Sequence, residues 1–332
     1  MRLVLTVLAR LLGLAAILGS LAHYLPSQYA DWPFMPELVS LTPWYALAAL
    51  LALVLSLLSR RWLTALLALV CLCLGVSWQL PLFADQPQLP TQALAAGAAE
   101  HPNKHDRAAR VMTANVYKGR ADAQAIVDAV RENRVEVLAL QETTDAFIAR
   151  LERAGIHEYL PYSKISSADH KYGNGLFSLT PLGSPARDDV NSSASQMPAG
   201  TVTFGQDTDI RFVCVHTTSP SPGQWGRWKR SLDEIGDMRA HTHTRYIFMG
   251  DFNATLDHAP FRDMLGDRFQ DAAQYSGHGF TLTWPADRAW LPPFAGIDHI
   301  VMDRGIQAGQ LKTLSIPGSD HRALVGTIWV NE

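Results

Sequence analysis

Apolar positions follow two regimes along this 332-residue chain, and the change comes near residue 84. Before it lie three long apolar stretches, at about 3–25, 38–58 and 62–83. Each approaches the ~20 residues that cross a hydrocarbon core. After it, short apolar runs alternate with segments of helical spacing. Ile126, Val127 and Val130 share one face of a helix predicted over 121–134, and the β-branched and leucine-rich run 135–140 reads as the next strand. Further strands are predicted at 175–178, 201–204, 210–215, 246–249, 299–302 and 323–330, with helices over 226–241 and after Ala259. Periodicity thus predicts an α/β or α+β domain at 110–332. A three-helix transmembrane anchor at 1–84 precedes it, joined by a Pro/Gln/Ala-rich tether at 85–109. His101 and His105 in that tether read as solvated linker residues rather than metal ligands.

Charge sharpens the division. Residues 1–84 hold four bases (Arg2, Arg10, Arg60, Arg61) and two acids (Asp31, Glu37). The chain's 28 bases and 31 acids therefore leave 24 and 29 for the remainder, a net of −5. An acidic globular part argues against broad electrostatic capture of nucleic acid. The cations also orient the anchor. Arg2 and the Arg60-Arg61 turn lie at cytoplasmic ends by the positive-inside rule, whereas the first connection carries only Asp31 and Glu37. Three crossings then place everything after Phe83 outside a multi-pass cell-membrane protein. Arg10 interrupts the first stretch, but no small-residue cleavage site precedes Pro26, so an uncleaved helix is expected. The three cysteines, Cys71, Cys73 and Cys214, have neither zinc spacing nor disulfide-framework numbers, and read as small hydrophobes.

The candidate chemistry sits where apolar runs end. Asn115 closes one run, Glu142 a second and His216 a third. Asp251 and Asn253 close a fourth, Asp298 falls in Gly-Ile-Asp-His, and Asp320-His321 follow Pro-Gly-Ser. One polar strand end is ordinarily a cap or a turn. Six that supply carboxylates, amides and imidazoles can together hold a divalent cation, orient water and neutralise a phosphate.

The ordered motifs Asn115, Leu-Gln-Glu142, Val-His216, Gly-Asp251-Phe-Asn253, Ile-Asp298-His and Ser-Asp320-His321 resemble the endonuclease/exonuclease/phosphatase (DNase I-like) superfamily. The likeness covers about 110–330. The longer strings Gly-Asp-Phe-Asn-Ala-Thr-Leu-Asp-His and Pro-Gly-Ser-Asp-His-Arg-Ala-Leu look similar to its membrane-anchored, VanJ-like bacterial branch. The resemblance implies a four-layer α/β sandwich with two face-to-face sheets, and a hydrolase dependent on Mg²⁺, with Mn²⁺ as a substitute. Glu142 is then the principal metal ligand, supported by Asn115 and Asp320. Asp251 orients or deprotonates the attacking water, and Asn253 donates to the phosphoryl oxygen. His321, held by Asp298, contacts phosphate or acts as base, and His216 serves the leaving oxygen. His299 is expected on the opposite strand face, in a structural role.

Two stretches are expected to border the pocket. One is 219–229, with Trp225, Arg227, Trp228 and Lys229; the other is 280–294, with Trp284, Trp290 and Phe294. Asn174, in Tyr-Gly-Asn-Gly, is a further substrate-binding candidate with turn formation as its alternative. A phosphate-bearing lipid such as a polyprenyl pyrophosphate is the expected substrate, with the bilayer as partner. The alternatives are a surface endonuclease/exonuclease or phospholipid phosphodiesterase, and a non-catalytic binding module. The full set of reactive side chains argues against the last.

Overall fold

The computed structural model describes residues 2–84, 89–99, 102–103, 106–183 and 189–331; His101 and His105 of the tether lie outside these. Helices Arg2–Tyr24, Thr42–Leu58 and Trp62–Gln79 form the N-terminal segment. Their mutual contacts are made by small residues. Ala9, Ala16, Ala49, Ala52, Ala65 and Ala68 are buried, while Leu3, Leu11, Leu63 and Leu66 point outward and are exposed. Gly75 admits a close approach, since a Cβ there would lie 2.8 Å from the Ala46 side chain. Small residues inside and leucines outside invert the order of a water-soluble bundle. By length and composition, Arg2–Tyr24 and Trp62–Leu82 suffice to cross a membrane, and Thr42–Leu58 is shorter.

Within the stretch expected as a tether, Thr91–Ala98 is helical, and Ala93 packs with Leu89 and Ala108. Eleven strands follow among the described residues: β1 (Ala108–Asn115), β2 (Val137–Gln141), β3 (Tyr162–Ser166), β4 (Asn174–Ser178), β5 (Ala199–Phe204), β6 (Thr208–His216), β7 (Tyr246–Asp251), β8 (Phe269–Asp271), β9 (Asp298–Asp303), β10 (Ile306–Ser315) and β11 (Arg322–Val330). One six-stranded sheet has the order β10-β11-β1-β2-β4-β3, and a five-stranded sheet has the order β5-β6-β7-β9-β8. Both mix parallel and antiparallel pairs.

Side-chain alternation explains the layering. Val111 of β1 and Val137 and Ala139 of β2 face Phe212 and Cys214 of β6 and Ile247 and Met249 of β7 in one inter-sheet core. The opposite faces pack on helices. Met112, Ala114 and Leu138 meet Ile126, Val127 and Val130 of helix Ala123–Asn133, and Phe147 and Leu151 of helix Asp145–Arg153. Tyr246 and Phe248 meet Trp228, Leu232 and Ile235 of helix Trp225–Gly236. The expected mixed α/β two-sheet sandwich is therefore present, with helices outside both sheets. Strands β3 and β10 and helix Asp145–Arg153 were not anticipated. The burial of β3 does not alternate, and three of its five residues are half-buried, so it lacks the continuous apolar run that marks its neighbours.

Candidate active site

Strand register gathers the polar chain ends. His216 pairs with Asp251 across β6 and β7, and Asp251 with Asp298 across β7 and β9. In the facing sheet, Asn115 pairs with Gln141, one residue before Glu142. Asp320 and His321 lie just ahead of β11, itself the other neighbour of β1.

Backbone conformation aims several of these groups. Tyr117, Lys118, Glu142 and Asn253 all have positive φ (47°, 55°, 60° and 48°), a costly region for residues with a Cβ. At Asn253 that turn folds the backbone back, so its N–H donates to Asp251 Oδ1 at 2.8 Å. Gly250 is required where β7 meets the site, because a Cβ would sit 1.9 Å from the Val215 carbonyl oxygen.

Asp251 is the hub. Its Oδ2 accepts from Asn115 Nδ2 at 3.1 Å and lies 3.7 Å from His321 Nε2 and 3.8 Å from His216 Nε2. His321 Nδ1 meets Asp298 Oδ2 at 2.8 Å, which fixes the ring and turns Nε2 towards Asp251. The carboxylate-imidazole-carboxylate row formed by Asp298, His321 and Asp251 also brings one ligand atom from each within 4.8 Å. Burial opposes charge on His321, yet the Asp298 and Asp251 carboxylates outweigh it and push its pKa up to about 10. Burial also drives Asp251 upward, against the attraction of His321. His216 moves the other way, down to about 3, because burial and the charge of His321 both disfavour a second imidazolium.

Glu142 forms the opposite wall. Its Oε2 accepts from Lys118 N at 2.8 Å, and its Oε1 lies 3.9 Å from His216 Nε2. Burial raises its pKa, and the Asp320 charge raises it further. The Asp320 pKa is raised too, chiefly by burial, and its Oδ1 is buried without a hydrogen-bond partner. A buried and a half-buried carboxylate under mutual repulsion, one holding an unpartnered oxygen, fit a hard divalent cation. Asn115 Oδ1 already accepts from Tyr117 N at 2.9 Å and retains a second lone pair.

The pocket around these groups has a volume of about 510 Å³ and is lined by Glu142, His216, Asp251, Asn253, Asp320 and His321 together with Trp284. Several candidates fall elsewhere. Trp228 is fully buried among Leu232, Ile235 and Phe248, because it lies on the apolar face of its helix. Its Nε1–H donates to the Asn253 carbonyl at 2.9 Å, so it supports the loop rather than touching substrate. Lys229 pairs with Asp233 one turn along the same helix, and Arg227 is exposed outside the pocket. Trp225 hydrogen bonds the Glu37 carboxylate at 3.1 and 3.2 Å. Asn174 is buried and donates to Ser195 Oγ and the Gln196 carbonyl, tying β4 to the neighbouring loop. Lys118 and Lys171 line the pocket and were missed; Lys118 directly precedes Gly119-Arg120, and Lys171 lies two before Gly173. Pro36, Glu37, Ser40 and Leu41, from far upstream, also line it.

His299 pairs instead with Asp271, Nδ1 to Oδ2 at 2.9 Å, and with the Ala254 carbonyl through Nε2 at 2.8 Å. It faces away from the pocket, as alternation along β9 requires.

The sequence profile described as "Endonuclease/Exonuclease/phosphatase family" matches residues 112–321, which spans every strand end just described. The chain belongs to the endonuclease/exonuclease/phosphatase family. Members of this family are metal-dependent hydrolases of phosphodiester bonds, usually with Mg²⁺, and this chain is an enzyme of that class. The fold agrees with solved family structures. Humanised TDP2 of D. rerio superposes with a TM-score of 0.55 at 15% identity, over 67% of this chain and 99% of that one. Truncated TDP2 of Caenorhabditis elegans gives 0.53 at 15%, over 69% and 100%. An endonuclease/exonuclease/phosphatase from Beutenbergia cavernae gives 0.52 at 15%, over 68% and 72%. No curated protein matches the chain in sequence.

Proposed function

We propose that this family member is a membrane-anchored hydrolase whose extracytoplasmic catalytic domain cleaves a phosphoester or pyrophosphate bond in a lipid-linked phosphate. The observation that carries this reading is the wall of the pocket formed by Pro36, Glu37, Ser40 and Leu41. These residues connect the apolar N-terminal helices, so the reactive groups lie against the end of the bundle. The outward leucines of that bundle and the two spans of sufficient length support the bilayer setting. The two Arg-bearing ends support the outward orientation. Likeness of the longest strings to VanJ-like proteins supports a polyprenyl pyrophosphate as the substrate.

In this reading Glu142, Asn115 and Asp320 hold Mg²⁺, which supplies charge neutralisation at the phosphate oxygens when bound. Asp251 orients the attacking water and receives its proton, and the adjacent His321 imidazolium hydrogen bonds the phosphate. Asn253 commits one amide hydrogen to the Thr217 carbonyl at 3.1 Å and directs the other to a phosphoryl oxygen. His216 hydrogen bonds the leaving oxygen. Lys118 and Lys171 add positive charge at the pocket rim.

The test offers the purified full chain a polyprenyl pyrophosphate, a sphingomyelin-type phosphodiester and plasmid DNA, each with Mg²⁺. Phosphate release from the lipid pyrophosphate, lost in Asp251→Ala and His321→Ala, is expected. Plasmid nicking with the same dependence would replace this reading with a surface nuclease. A reporter active only in the cytoplasm, fused after residue 332, is expected to stay silent.

A further inference from the structure

Beside the polar pocket runs a second cavity of about 440 Å³, within the ~300–1,000 Å³ of small-ligand sites. Trp44, Leu47, Val76, Leu80, Phe83 and Phe280 line it, and Gln79 is its one polar side chain of the amide or charged kind. The walls come from both parts of the molecule. Trp44 Nε1–H donates to the Phe294 carbonyl at 3.0 Å, and Gly279 N–H donates to the Leu82 carbonyl at 2.7 Å. The rings of Phe83 and Phe280 meet edge to face at 5.2 Å. These contacts make the groove a built seam between helices and catalytic domain.

The groove and the reactive pocket adjoin. Phe294 lines both, and a small cavity of about 40 Å³ between them shares Ser40 and Ala295 with the pocket and Pro43 and Phe280 with the groove. A molecule occupying both would need a charged phosphate end and a hydrocarbon end on one axis.

We infer that the seam groove between Thr42–Leu58, Trp62–Gln79 and the 280–294 loop binds the hydrocarbon chain proximal to the phosphate of an amphiphilic substrate. This rests on the lipid-phosphate reading above. The groove thereby sets chain selectivity: it rewards a long chain and leaves the bond-breaking groups unchanged. Leu47 and Val76 are both exposed, so larger side chains there fill the groove without entering a packed core.

The experiment uses the full chain in nanodiscs with two pyrophosphates, a long polyprenyl one and dimethylallyl pyrophosphate, the same head group on a single isoprene unit. Phosphatidic acid runs beside them to distinguish an acyl from an isoprenoid chain. In Leu47→Trp and Val76→Trp the long-to-short ratio of kcat/KM is expected to fall by about ten-fold or more. Leu66→Trp, on the outward face away from the groove, should leave that ratio where it was. An unchanged ratio in both groove variants overturns the inference. A separate readout needs no turnover: a polyprenyl phosphate with a diazirine in its first chain units is photo-cross-linked, and the labelled peptides are mapped. Labels concentrated on 43–47, 75–83 and 280–294, and lost in Val76→Trp, support the groove. Labels spread evenly over the outward helix faces show ordinary bilayer lipid there and reject it. Failure of the unaltered protein to hydrolyse any lipid bears on the substrate reading alone, because the cross-link map still decides the groove.

Discussion

Two histidines, one just ahead of β11 and one on β9, show how one residue type takes opposite duties. His321 has a carboxylate behind it and an open side towards Asp251, so its ring is oriented but not saturated. Replacing Asp298 by Asn keeps the shape and removes the charge that holds this ring. The expected result is a fall in kcat of about 10²-fold or more with KM nearly unchanged. Loss in KM alone would make Asp298 a binding group. His299, by contrast, is buried between the Asp271 carboxylate and the Ala254 carbonyl. Both partners are acceptors, an arrangement that favours the doubly protonated, charged ring. Burial opposes that charge, but Asp271 prevails and the pKa is raised. A raised folded pKa gives stabilisation that is complete below the unfolded value, about 6.5, and is lost as pH climbs through the folded one. His299→Gln should therefore cost about 3 kcal/mol at pH 6 and less at alkaline pH, by chemical denaturation at each pH. An equal cost at both would mean the ring is neutral.

At the scale of elements, the site is a property of strand ends and the turns that leave them. Gly250 marks this point on β7, where the Val215 carbonyl leaves no room for a Cβ. Gly250→Ala must push β7 from β6 and carry Asp251 with it. A drop of about 2–3 kcal/mol in stability, and activity losses beyond what the lower folded fraction explains, are expected from unfolding curves and kcat together. Full activity with normal stability would show that the strand end tolerates the shift. This organisation also explains what was legible in the chain. Asn115, Glu142, His216, Asp251, Asp298 and His321 each end or begin an apolar strand, a local signal, and register then brings them together. Trp228 was readable too: its spacing to Leu232 and Ile235, four and then three residues, is that of a buried helix face, and proximity to His216 in sequence misdirected attention to the pocket. Lys118 gave little signal, since nothing in the local pattern reveals that its backbone amide binds Glu142. The β3 strand lacked a pattern because its exposure is imposed by its edge position, not by its sequence.

For the whole molecule, the decisive feature was invisible to any local reading: residues 36–41 complete a pocket whose other walls lie beyond residue 116. Long-range contacts create it. His258, neutral because burial holds its pKa down to about 4, accepts from Thr255 N and meets the Pro36 carbonyl at 2.8 Å through Nε2. Gln79 Nε2 donates to Asp257 Oδ1 at 2.9 Å. Trp225 Nε1–H reaches the Glu37 carboxylate, a side-chain contact between the two parts that is open to test. If bundle and catalytic domain behave as one body, Glu37→Ala and Trp225→Phe destabilise by amounts that do not add. A hydrogen bond to a charged acceptor is worth about 1.5–3 kcal/mol, and the coupling energy should be of that size. Thermal unfolding of the wild type, both single variants and the double variant in one detergent measures it. Additive losses would mean that the two parts merely touch. The pocket would then lose the wall formed by residues 36–41 whenever they separate, and the site would have to bind its phosphate without help from the helices.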